Sequence, residues 1–66
     1  MKPGKYIAQR DIKYDKHTNR IKIFDEVRIV EVKPNGRNLD LKIKKGGDTL
    51  SITVNKDAVD SFFEKK

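Results

Sequence analysis

Arg28, Lys42 and Lys44 fall on one side of a two-residue alternation, beside the valines Val30 and Val32 and close to the hydroxyls of Ser51 and Thr53. Cations contact phosphates, hydroxyls reach phosphates or base edges, and apolar side chains between them can wedge a widened minor groove. A second group, Lys13, Lys16, Arg20 and Lys22 with His17, gathers in and around a polar stretch next to Tyr14. Backbone neutralisation beside a stacking ring is the recipe for binding a single strand. Arg37 adds a cation in the KPNGR turn. Plainer accounts stand beside these: Val30 and Val32 as core of a curved strand with the lysines a solvated face, and Tyr14 as a core ring at a strand end.

Other chemistry is poorly supplied. His17 is the only histidine and cysteine is absent, so neither a Cys/His metal set nor a Cys–His nucleophile can be assembled. The carboxylate pairs Asp25-Glu26 and Asp57-Asp60 read as a turn and a helix start, in a core too small to enclose a pocket that would raise their pKa. The expectation is a protein that is not an enzyme, with no cofactor and no small-molecule substrate.

Charge points to the class of partner. Lys and Arg number 16 against 10 Asp and Glu, a net charge of +6 on 66 residues. Residues 1–22 hold seven cations against Asp11 and Asp15, while residues 46–66 hold three against four acids. An excess of this kind draws polyanions, namely nucleic acid, anionic lipid or an acidic protein, and a solubilising surface is the bland alternative. No apolar run reaches the roughly 18 residues of a membrane span. The opening Met1-Lys2-Pro3-Gly4 lacks a signal peptide's apolar segment, so the expected address is cytoplasmic with no membrane partner.

The elements that must position these residues are strands. Apolar residues make up 35% of the chain and charged ones 39%, yet the apolar ones recur with period two, which argues for a folded β domain over residues 1–66. Residues 27–54 carry the clearest pattern: VRIVEV, KPNGR, NLDLKIK, KGGD and TLSITV read as three antiparallel strands joined by two glycine-bearing turns. Leu39, Leu41 and Ile43, then Leu50, Ile52 and Val54, are the expected inward faces. Val27 and Ile29 are set on one side of the preceding strand, with Arg28, Val30 and Val32 on the other. Lys5 to Tyr14 predicts a first strand bent near Arg10-Asp11, and Arg20 to Phe24 a short second one. At the end, NKDAVDSFFEKK predicts two helical turns capped by Asn55, with Ala58, Val59, Phe62 and Phe63 on one stripe and Lys65-Lys66 at the negative end.

The opening YIAQRDI, the charged loop after it and IKIFDEVRIVEV resemble the first strand, long first loop and diverging turn of an SH3 domain. The paired tryptophans and the Pro-plus-Tyr motif of that family have no counterpart, so the resemblance implies its fold and not a groove for proline-rich peptides. The second half, KKGGDTLSITVNKDAVDSFFEKK, resembles the glycine turn, last strand and helix start of the small basic chromatin proteins of hyperthermophilic archaea. That likeness implies a three-stranded sheet laid on the DNA minor groove, here the outward face of residues 27–54.

The expected fold is therefore all-β with a short C-terminal helix, a five-stranded SH3-like small barrel. The expected function is binding of nucleic acid, double-stranded DNA in preference to RNA, through the backbone with little sequence specificity. An SH3-like protein–protein interaction module, or an accessory protein of a phage or mobile element, is the alternative.

Overall fold

The computed structural model describes residues 1–14 and 20–66. Alternating side chains produce strands along most of them: β1 (Gly4–Ala8), β2 (Ile12–Lys13), β3 (Arg20–Ile21), β4 (Glu26–Asn35), β5 (Asn38–Lys45), β6 (Asp48–Asn55) and β7 (Phe63–Lys65), with one short helix, α1 (Val59–Phe62). Five strands form an antiparallel sheet in the order β6-β5-β4-β1-β7, and β2 and β3 form a separate ribbon.

The two hairpins follow from their glycines. Asn35 pairs with Asn38 and Lys45 with Asp48, leaving two-residue loops that begin with Gly36 and Gly46. These adopt φ of 62° and 61°, the left-handed first position that favours glycine in a tight hairpin. Pairing then brings the apolar residues into rows, Ile29–Ile43–Leu50 and Val32–Leu41–Ile52, on the inner face. Ile21, Ile29, Leu41 and Ile43 are the largest side chains fully removed from water.

Among the described residues the sheet is not closed into a barrel, in contrast to the expected five-stranded closed form. Its inner face is covered instead by Ile12 and Ile21 of the ribbon and by Val59 of α1, which join the same apolar cluster. Closure by strand pairing is thus replaced by a lid of side chains from the long first connection and the helix.

Three local expectations are corrected. The register of β4 shifts between Ile29 and Glu31, so Val30 is an extra, bulged residue. Beyond it Val32 pairs with Leu41 and packs on the core, and so does not share the outward face of Arg28. The second strand ends at Ile21, because residues 22–25 turn to meet β1. At the C-terminus, Asn55 closes β6, its Oδ1 accepting the Asp57 N–H at 2.8 Å. Only one helical turn follows, with Ala58 at its N-cap, because Phe63 is extended and continues into β7 beside β1. Phe63 therefore reaches the core from a strand, and Lys65 belongs to that strand rather than to a helix end. Among the described residues no helix is long and apolar enough to cross a membrane.

Candidate nucleic-acid interface

Strand register turns the basic residues into an ordered array on the outer face. Lys5 of β1 lies opposite Arg28 of β4, and Arg28 lies opposite Lys44 of β5, which in turn faces Thr49 of β6. All three cations are exposed. Adjacent strands lie about 4.8 Å apart, so the row spans about 10 Å at the backbone. Among the described residues, none of the three has a carboxylate within ion-pair distance. Like charges placed directly opposite each other destabilise a sheet, so this row is a local cost that a bound anion would relieve. The shallow depression over it is completed by Val27, Glu26 and Lys66. Lys66 is ion-paired with Glu26, and its ammonium holds that carboxyl below the usual glutamate range.

The face changes character toward the β4–β5 turn. Lys42 stands opposite Glu31 and Ser51, and Glu31 pairs with Lys33 at 3.1 Å. In the next row Asp40 accepts the Thr53 hydroxyl at 2.8 Å and the Asn35 side-chain amide at 3.2 Å. Thr53 is thus engaged by a carboxylate, whereas the hydroxyl of Ser51 is exposed and has no side-chain partner among the described residues. The outer sheet runs from a cationic end at Lys5, Arg28 and Lys44 to an end where acids balance the bases.

The remaining expected site residues are dispersed. Val30 is half-buried at the bulge and Val32 faces the core, so the two valines do not form an exposed wedge. Arg37 lies exposed in the β4–β5 loop, its carbonyl accepting the Lys56 N–H at 3.1 Å. Lys13 and Arg20 are exposed and directly opposite on the ribbon, with Lys22 just beyond. Tyr14 packs against the core cluster. Lys16 and His17 lie outside the described residues.

Two features escape sequence reasoning. Lys5 is one, since its place in the row depends on a β1–β4 pairing remote in sequence. The other is the placing of the turn expected at Asp25-Glu26: it spans Lys22–Asp25, closed by an Asp25 N–H to Lys22 carbonyl bond of 3.0 Å, and so takes in Ile23 and Phe24. Asp25 accepts the Lys22 N–H at 2.9 Å and pairs with Lys45 at 3.2 Å. The backbone hydrogen bond foremost, with the Lys45 ammonium, lowers its carboxyl pKa. Ile23 and Phe24, at 47% and 72% exposure, project from this turn. No protein-family model matches the chain, and neither a curated protein nor a solved structure matches it.

Proposed function

We propose that this chain is a small basic nucleic-acid-binding protein of SH3-like architecture, acting in the cytoplasm and without enzymatic activity. It holds double-stranded DNA in preference to RNA, through backbone phosphates and with little sequence preference. The Lys5–Arg28–Lys44 row carries this reading: three cations aligned across three strands despite mutual repulsion, none in an ion pair among the described residues, with Glu26, the acid that lines the same depression, paired to Lys66. The SH3-like assignment is supported by the strand order, with the short β2–β3 ribbon within the first connection and the last strand paired to the first.

The test is a fluorescence-anisotropy titration of a labelled random duplex and of its single strand, at low and at near-physiological salt. Backbone binding gives a log affinity that falls linearly with log salt, by about 0.9 per phosphate neutralised on duplex. Failure to bind at low salt, or binding indifferent to salt, overturns the proposal.

One observation favours a second reading. Strand β6 is an edge among the described residues, and its stretch Thr49–Val54 is uncharged. A regular, uncharged edge is a template for strand addition by a protein partner. Such binding would tolerate salt and the change Lys44→Ala.

A further inference from the structure

Phe24 combines two unfavourable features that folding alone does not account for. It is the third residue of the Lys22–Asp25 turn and has φ of 72°, the one described residue other than glycine with positive φ. That position of a type II turn favours glycine, and a bulky side chain occupies it under strain. Burial does not offset the strain, because the ring is 72% exposed beside Ile23 at 47%. The turn is nevertheless firmly held. The Phe24 N–H donates to the Ala8 carbonyl at 2.8 Å, and the Ile23 N–H to Asp11 Oδ1 at 2.7 Å. A strained residue kept in place by its surroundings, with an apolar ring offered to water, points to a contact with a partner.

The surroundings select the partner. Asp25 in the turn and Asp11 beside it each use one oxygen to brace the backbone: Asp11 Oδ1 accepts the Ile23 N–H and Asp25 Oδ2 the Lys22 N–H, with the Lys45 ammonium balancing the Asp25 charge at 3.2 Å. Lys22, in the turn itself, is exposed, and the ribbon that leads into the turn carries the exposed pair Lys13 and Arg20, none of the three in an ion pair among the described residues. An exposed aromatic ring on a firmly held turn, at the end of a basic ribbon, suits a base with its adjoining phosphates.

We propose that Phe24, with Ile23 beside it, is the base-contacting element of the nucleic-acid surface, stacking on an unpaired base or entering a base step of a duplex. The inference rests on the nucleic-acid reading given above. Phosphates then supply the salt-dependent part of the binding, and the ring supplies a part that salt leaves unchanged.

The experiment compares the wild-type chain with Phe24→Ala, Phe24→Gly and Phe24→Trp against a labelled single strand, its duplex, inorganic polyphosphate and anionic lipid vesicles. Phe24→Ala and Phe24→Gly should weaken oligonucleotide binding about 5- to 150-fold with the salt slope intact, and leave polyphosphate binding unchanged. The preferred oligonucleotide identifies a single-strand stack or a duplex wedge. Phe24→Gly should also raise the urea midpoint by relieving the backbone, so lost binding cannot be ascribed to unfolding. The chain has no tryptophan, so Phe24→Trp provides a single indole, whose emission should be quenched by oligonucleotide and not by polyphosphate. Wild-type affinity retained by Phe24→Ala and Phe24→Gly overturns this inference and leaves the phosphate-binding reading standing. Absence of oligonucleotide binding by the wild type overturns both, and an indole response to vesicles alone would then assign the turn to a membrane surface.

Discussion

Arg28 and Lys44 face one another directly across the β4–β5 ladder, two exposed cations in register. The arrangement sets stability against binding, so one substitution should move them in opposite directions. Lys44→Glu places an acid opposite Arg28 and should stabilise the fold by about 0.2–1 kcal/mol, read as a higher urea midpoint. The same variant should lower duplex affinity and reduce the salt slope by about one or more. A variant that is more stable yet binds duplex with an unchanged slope would remove the row from the interface.

The adjacent phenylalanines should respond very differently to truncation. Phe63 is 2% exposed, with its ring edge-on to Tyr6 at 6.5 Å between centroids. Phe63→Ala should cost about 3–5 kcal/mol, a large share of the stability of a domain this small. Phe62 is half-buried beneath the Arg10 guanidinium, 4.9 Å from the ring centroid, and Phe62→Ala should cost nearer 1 kcal/mol. Urea unfolding of both variants checks the contrast, and equal losses would contradict the division of labour between α1 and β7.

Acid should loosen the turn that carries Phe24. The Asp25 carboxyl pKa is depressed in the folded chain, chiefly by the Lys22 backbone N–H and also by the Lys45 ammonium. A depressed folded pKa contributes stability that is present above the unfolded value, about 3.9, and is lost as pH falls through the folded value. Stability measured from neutral pH downward should therefore decline below about pH 4. Asp25→Asn retains an acceptor for the Lys22 N–H while removing the charge, so it should be less stable at neutral pH and show a shallower acid decline. An unchanged acid limb would assign the pH dependence to other carboxylates.

What could be read in the sequence was whatever a single strand encodes about itself. Leu39, Leu41 and Ile43 alternate without interruption in β5, and both glycine turns sit between runs of the right length, so the meander was legible. Arg28, Lys42 and Lys44 were legible as outward residues for the same reason. Lys5 was not, because its neighbour Arg28 is set by a pairing between distant segments. Period-two counting puts Val32 on the wrong face, because a bulge leaves no mark on it until the register of the partner strand is known. The spacing of Phe63 from Val59 suits a helix, and the pull of pairing with Ala8 is absent from local periodicity. Phe24 gave no signal at all, since turn preferences lead one to expect glycine where it stands.

The bulge at Val30 also bears on how this chain could change in length. With Val30 struck out, Val27, Ile29 and Val32 fall into strict alternation with Arg28 and Glu31, and every residue that pairs with β5 keeps its partner. A one-codon deletion in the middle of β5 would instead exchange inside for outside along the rest of that strand. Position 30 is thus a site where ancestry could add or remove a residue without rewriting the core, changing only the bend that the extra residue gives to β4.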